Sequence, residues 1–234
     1  MTKALYLEDC YLKEFEAEVI KVEDNNIILN QTAFYPESGG QLTDKGKLIK
    51  DSEEFKVSMV KKQGPDIVHK VDKEGLKIGD KIKGIIGWDR RYKFMRYHTA
   101  CHVLSTTVHK ETGAQITGNQ IKEDEARIDF NLDEFDREKL KSYEAKANET
   151  LAKGLPVNLK FLPREEAFKI PALVKLKMML PESIKIIRVV EIEGFDQQAC
   201  AGTHVKNLSE IGKIEITKAE NKGANNRRVY FKLV

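Results

Sequence analysis

Cysteine is scarce in this chain, with residues only at positions 10, 101 and 200 of 234. Three scattered cysteines make no disulfide framework, so the fold must rest on its own core, and a reducing, cytoplasmic setting is expected. Long apolar runs are missing too. The N-terminal segment carries Glu8 and Asp9 and no run approaches the roughly 20 apolar residues of a membrane helix, so neither a signal peptide nor a span is expected. No internal repeat or low-complexity tract is present. A phosphate loop of the GxxxxGK[ST] type is absent, and 234 residues leave no room for an aminoacylation domain, which argues against ATP-driven chemistry. The net charge is only +3, too small a bias to establish a nucleic-acid partner by itself.

What remains is an ordinary globular composition, 41% apolar and 33% charged, in a chain long enough for one large domain or two modest ones. Residues 1–87 read as short strands. Glu16 to Val22 alternates apolar and polar, Asp24-Asn25-Asn26 supplies a turn, and Ile27 to Asn30 returns as a hairpin partner. Gly46 to Lys50, Phe55 to Lys61, Ile67 to Val71 and Lys81 to Ile86 follow at even spacing, the pattern of a small β-barrel. Gly39-Gly40 lacks a following Lys and reads as a turn, not a phosphate cradle.

Residues 88–234 form a second expected domain. A long helix, Arg90 to Thr112, is stopped by Gly113. Strands are expected at Gln115 to Ile121, Ala126 to Leu132, Val157 to Leu162, Ile184 to Val190, Gly212 to Ala219 and Arg228 to Leu233. A helix capped by Asp133 runs to Lys153, and two short helical pieces, Arg164 to Ile170 and Ala172 to Leu180, lie between prolines. The fold class is α+β, an N-terminal small β-barrel followed by a two-layer domain with helices on a largely antiparallel sheet.

Two short motifs carry the chemistry. His98-Thr99-Ala100-Cys101-His102 lies inside the long helix, where residues four apart share a face and both imidazoles reach one ion. Cys200-Ala201-Gly202-Thr203-His204 reads as a tight loop. Either pair alone is more often two unrelated side chains; both together, in a chain with five histidines and three cysteines, point to one metal site. Imidazole and thiolate suit Zn2+ better than magnesium or calcium. Four protein ligands describe a closed, structural zinc, whereas a catalytic zinc keeps a position open, and spacing leaves both readings standing.

These residues resemble a known family. His98-Thr99-Ala100-Cys101-His102-Val103-Leu104 is similar to the HTAxHLL motif, and Cys200-Ala201-Gly202-Thr203-His204-Val205 to the CxGTHV motif, of the alanyl-tRNA synthetase editing domain and its free-standing relatives, the AlaX proteins. Thr32-Ala33-Phe34-Tyr35-Pro36-Glu37-Ser38-Gly39-Gly40-Gln41 resembles the family's glycine-rich motif. The blocks fall in the family's order and span nearly the whole chain, although Lys222 to Val229 has one Gly where relatives often show two. The resemblance implies an editing-domain-like fold and a zinc-dependent deacylase acting on misacylated tRNA(Ala), with seryl- or glycyl-tRNA(Ala) as substrate. His98, His102, Cys200 and His204 would hold the metal. An RNA-binding module with a structural zinc, or a metal-dependent esterase on another substrate, uses the same residues.

Two further expectations concern recognition. Arg90, Arg91, Lys93 and Arg96 lead into the metal helix, and Lys218, Lys222, Arg227 and Arg228 crowd the C-terminal hairpin. Each cluster alone is a solvated face; beside a metal site, Arg91, Arg96, Arg227 and Arg228 are candidates for RNA phosphates, with Tyr92, Phe94 and Tyr97 available to stack a base. An editing site must also spare alanine, best achieved by a buried polar group that pairs with the serine hydroxyl and is left unsatisfied by a methyl. Thr32 and Gln41, at the two ends of the glycine-rich block, are the candidates, against ordinary roles in a strand end and a turn.

Overall fold

The computed structural model describes residues 1–132, 136–171, 173–174 and 181–234. They form two compact units, Met1–Met95 with Gln120–Glu123, and Arg96–Asn119 with Asp124–Val234. Among the described residues no helix is long and apolar enough to cross a membrane.

The first unit contains β1 (Lys3–Ala4), β2 (Glu14–Glu23), β3 (Asn26–Leu29), β4 (Gln31–Thr32), β5 (Gly46–Lys50), β6 (Glu53–Gln63), β7 (Asp66–Val71) and β8 (Lys81–Ile86). Six of these close into a barrel in the order β2-β3-β7-β6-β5-β8, with antiparallel pairing throughout. The alternation legible in β2 turns Phe15, Ala17 and Val19 inward and Glu14 and Glu16 outward. Phe34, Leu48, Phe55 and Val60 fill the same core. The β2–β3 turn places Asp24 at φ 51, a left-handed conformation that Asp tolerates better than most residues. A short parallel pair, β1 with β4, is an addition to the expected strands; two-residue strands carry no periodic signal.

A buried hydrogen-bond relay runs through this barrel. The His69 Nδ1–H donates to the Ile27 carbonyl at 3.1 Å, which leaves Nε2 to accept from the Thr32 hydroxyl at 2.8 Å. Thr32 Oγ1 in turn accepts the Phe34 N–H at 3.1 Å. Arg91 is a second buried hub. Its guanidinium pairs with Asp44, both side chains 0% exposed, with Nε at 3.1 and 2.9 Å from the two carboxylate oxygens, and it donates to the carbonyls of Cys10 at 3.0 Å and Ala33 at 2.5 Å.

The helix α1 (Trp88–Thr112) crosses the division between the units and is followed by β9 (Ile116–Ile121), β10 (Ala126–Phe130), α2 (Arg137–Ala152), β11 (Val157–Pro163), α3 (Arg164–Ala167), β12 (Ile186–Ile192), β13 (Asp196–Ala199), β14 (Ile214–Asn221) and β15 (Arg227–Leu233). Gly113 stops α1 as expected, at φ 75, its N–H bonded to the His109 carbonyl at 2.7 Å. The antiparallel pairing falls into two sheets, a four-stranded one in the order β14-β15-β10-β9 and a three-stranded one in the order β11-β12-β13. Ile128, Phe130, Val229 and Phe231 make the buried face of the larger sheet, where Tyr97 of α1 meets Phe231 at 5.9 Å between ring centres. The edge of that sheet is covered: the Asn148 side chain of α2 takes the Ile214 N–H at 2.8 Å and donates to its carbonyl at 2.9 Å, blunting the exposed ladder. The observed cap of α2 is Asp136, which accepts the Glu138 N–H at 2.9 Å; the expected cap Asp133 and most of the expected helical piece Ala172 to Leu180 lie outside the described residues. The helical piece expected from Arg164 to Ile170 is a single turn, α3.

The relay makes a prediction about acid stability. Burial pushes His69 down from 6.5 to about 4, so between those values the unfolded chain binds the extra proton and the folded one does not. Stability from this group is complete above pH 6.5 and is lost as pH falls towards 4, by about 3 kcal/mol at about 1.4 kcal/mol per unit. Denaturant unfolding of the chain at stepwise pH values should show this slope, and His69→Gln should make it shallower.

Candidate metal centre

The middle of α1 is buried on every side: Ala100, Cys101, Val103 and Leu104 are buried, and so are Thr99, Ser105, Thr106 and Thr107. The hydroxyls are accommodated by bonding backward along the helix, Thr107 to the Val103 carbonyl at 2.8 Å and Ser105 to that of His102 at 3.1 Å. A helix so enclosed holds His98 and His102 in fixed directions, one turn apart. Facing them is the loop after β13. Its start is clamped to β12 by the Cys200 N–H on the Arg188 carbonyl at 3.2 Å and by Arg188 Nη1 on the Cys200 carbonyl at 2.5 Å.

His98, His102, Cys200 and His204 come together so that one donor atom from each lies within 4.8 Å of all the others. Cys200 Sγ is 3.5 Å from His98 Nε2 and 3.3 Å from His204 Nε2. Bond lengths of about 2.0–2.1 Å to nitrogen and 2.3 Å to sulfur give a tetrahedron with edges of about 3.3–3.6 Å, which the two sulfur–nitrogen separations match, while the full set spreads to 4.8 Å. The donor set fits as well, since two soft or borderline ligand types and no carboxylate select against magnesium and calcium.

The surroundings fix each ring. The Thr99 hydroxyl lies 3.1 Å from His204 Nδ1 and accepts the Val205 N–H at 3.3 Å; with Nδ1–H donating to Thr99, His204 Nε2 is left bare towards Sγ. His98 packs flat on Gly202, where an added Cβ would overlap its Cε1 and Nδ1. Asp196 Oδ2 is 3.4 Å from His102 Nδ1, an ion-pair contact longer than a well-formed hydrogen bond. Thr99 and Gly202 stand inside the two sequence motifs and were legible there as fixed positions without a role. Asp196 was not.

Electrostatics polarise the cluster. Burial alone would push the Cys200 thiol up, but His98 and His204 beside it and hydrogen bonds from His102 and His204 hold it well below the usual thiol range. Burial, and then the neighbouring His98, push His204 well below the usual imidazole range. For His102 burial works downward too, yet the contacts with Asp196 and Cys200 outweigh it and hold the ring up at about 9. The cluster thus stabilises the charged form of Cys200 and the neutral form of His204.

The other expected site residues are placed elsewhere or engaged otherwise. Thr32 and Gln41 belong to the first unit and are wholly buried, and Gly39-Gly40 makes a left-handed turn, at φ 57 and 82. Arg91 corrects the sequence reading: with its guanidinium sealed against Asp44 it offers nothing to a phosphate. Phe94 and Tyr97 are core residues and not base platforms, while Tyr92 stacks on Trp88 at 5.6 Å. Arg96 is half-buried and donates to the Ile211 carbonyl at 2.7 Å. Arg228 grips Asp129 through two bonds of 2.7 and 2.8 Å, Arg227 bonds the carbonyl of Gly223 in its own loop at 2.9 Å, and Lys218 and Lys222 both pair with Glu220.

Gly202 supplies a direct check on this geometry. Gly202→Ala should drive His98 out of the cluster, so that zinc retained after gel filtration, measured by atomic emission, falls well below the one ion per chain a four-donor site holds. Far-ultraviolet circular dichroism should be unchanged.

A family model described as tRNA synthetases class II (A) matches residues 3–90, and one described as Threonyl and Alanyl tRNA synthetase second additional domain matches residues 187–230, which include Cys200 and His204. The chain is 52% identical over 242 residues to the alanyl-tRNA editing protein AlaX-M of Methanosarcina barkeri, covering 100% of both chains. It is 46% identical over 234 residues to AlaX-M of Saccharolobus solfataricus, covering 99% of this chain and 98% of that one. An alanine–tRNA ligase of Pyrococcus abyssi is 40% identical over 234 residues, 98% of this chain against 26% of the ligase. With full-length identity at this level, the chain belongs to the AlaX-M family of alanyl-tRNA editing proteins.

Proposed function

We propose that this protein is a free-standing editing hydrolase that deacylates misacylated tRNA(Ala), with seryl-tRNA(Ala) as principal substrate and glycyl-tRNA(Ala) as a second, and that it uses Zn2+ held by His98, His102, Cys200 and His204. The observation that carries the reading is the convergence of these four donors within 4.8 Å of one another in a chain whose full-length relatives are named alanyl-tRNA editing proteins. The reaction cleaves the ester between the amino acid and the terminal ribose of the tRNA, adding water. A zinc ion supplies a Lewis acid that polarises the ester carbonyl or acidifies water at neutral pH. The chain's own part is to keep Cys200 as a thiolate, to hold the proton of His204 on Nδ1 against Thr99 and to exclude bulk water through the enclosed α1.

Discrimination between serine and alanine is a separate task, which we assign to Thr32 and Gln41. The Thr32 hydroxyl gives its proton to His69 and takes the Phe34 N–H, which leaves one lone pair with which to accept from a serine hydroxyl. Its position is over-determined by the relay, as a selective polar group requires.

The assay is hydrolysis of seryl-, glycyl- and alanyl-tRNA(Ala), with and without a chelator. Hydrolysis should require zinc, and His98→Ala with His102→Ala should abolish it while circular dichroism persists; a double variant that unfolds makes the zinc structural. Cys200→Ala should keep residual activity where His204→Ala keeps none, because catalysis needs a position that protein does not fill.

Thr32→Val should reduce the preference for seryl- over alanyl-tRNA(Ala) at unchanged zinc content, and lower stability by about 1–3 kcal/mol through the broken relay. Stability loss with intact selectivity, there and in Gln41→Ala, would reduce both residues to architecture.

A further inference from the structure

We propose that Asp196 is a positioning residue of the metal centre: its carboxylate holds His102 by Nδ1 and so presents Nε2 to the ion. The inference rests on the metal-centre reading above. Asp196 opens β13, four residues before Cys200, so the strand that delivers the thiolate also delivers the carboxylate. Its Oδ2 and His102 Nδ1 lie 3.4 Å apart, with side chains only 9% and 7% exposed. Neither atom has a hydrogen-bond partner among the described residues. A buried carboxylate oxygen and a buried ring nitrogen are both costly to leave unsatisfied, and here each is the other's nearest solution.

The three imidazoles are held by three different devices. His204 has the Thr99 hydroxyl on Nδ1, His98 has the flat face of Gly202, and His102 has Asp196. Asp196 is the only charged support among these, and its effect differs in kind. A hydroxyl fixes a tautomer; a carboxylate fixes it and also raises the basicity of the opposite nitrogen, strengthening its bond to a cation. His102 also shares its helix face with His98, one turn away, so a ring free to turn about χ2 would carry its donor out of the cluster while the helix stayed intact.

The test is zinc affinity of the full chain, titrated with zinc chloride against a chromophoric chelator, for wild type, Asp196→Asn and Asp196→Ala. Asp196→Ala should bind zinc about 10–100-fold more weakly, the usual loss on removing such a partner, and Asp196→Asn should fall between, since an amide oxygen still accepts the Nδ1–H without its charge. A second readout separates positioning from general packing: in the zinc-loaded protein, the His102 Nδ1 proton seen by nuclear magnetic resonance should exchange slowly in wild type and faster in Asp196→Ala. Should Asp196→Ala fail to fold, the nearly isosteric Asp196→Asn decides, weaker binding supporting the inference and wild-type affinity overturning it. Equal affinities of wild type and Asp196→Ala overturn this inference alone. A wild-type chain that takes up no zinc overturns the metal-centre reading and this inference with it.

Discussion

A thiolate and three imidazole nitrogens turned towards one point, away from water, are poor neighbours unless a cation sits between them. Their lone pairs converge, and burial removes the solvent that would otherwise satisfy them. Several features of the second unit bear on this one constraint. The enclosed α1 sets the His98–His102 spacing, and the Arg188 clamp returns Cys200 to the same place each time the loop forms. Gly202 is small because the His98 ring lies where its side chain would be. These features cost stability locally, since hydroxyls inside a helix and a glycine in a loop are poor choices for folding alone. They are consistent choices for a cluster whose four donor groups are held in one arrangement.

In the first unit the same role falls to Arg91 and Asp44. Two charges taken wholly out of water gain little net stability, yet removing either would leave its partner uncompensated, at a cost of about 3–5 kcal/mol. What the pair contributes is specificity. One guanidinium fixes Asp44 and the carbonyls of Cys10 and Ala33, so that the loop before β2, the start of the glycine-rich block and the first turns of α1 have a single mutual arrangement. Asp44 in turn takes the Tyr35 N–H at 2.7 Å, pinning the block that carries Thr32 and Gln41.

Much of this was legible in the sequence, and the gaps have physical causes. The strand β8 was found to the residue because one face is largely buried and the other largely wet, a period-two signal. The clustering of His98, His102, Cys200 and His204 was legible because histidine and cysteine are rare enough for paired spacing to mean something. By contrast β13, Asp-Gln-Gln-Ala, is polar along its length, and neither it nor Asp196 departs from what a loop would show. The division into two sheets was hidden because antiparallel pairing partners leave no mark on composition. Arg91 misled for a related reason: a basic residue amid Arg90, Lys93 and Arg96 reads as surface charge, and only its neighbours in space reveal that its donors point inward.

The four donors are not equivalent in how the fold holds them. His98, His102 and His204 are buried, at 5%, 6% and 2% exposure, whereas Cys200 is half-buried. Two of the histidines also stand on a helix enclosed on all sides, and the third is tied through Thr99 to that helix. Cys200 stands on a loop, its backbone clamped to β12 through its N–H and carbonyl, with Sγ turned to His98 and His204 and accepting the Gly202 N–H at 3.4 Å. The ring donors are thus set by the helix and the thiol by its loop, and the loop is the part of the cluster that can shift without disturbing a helix.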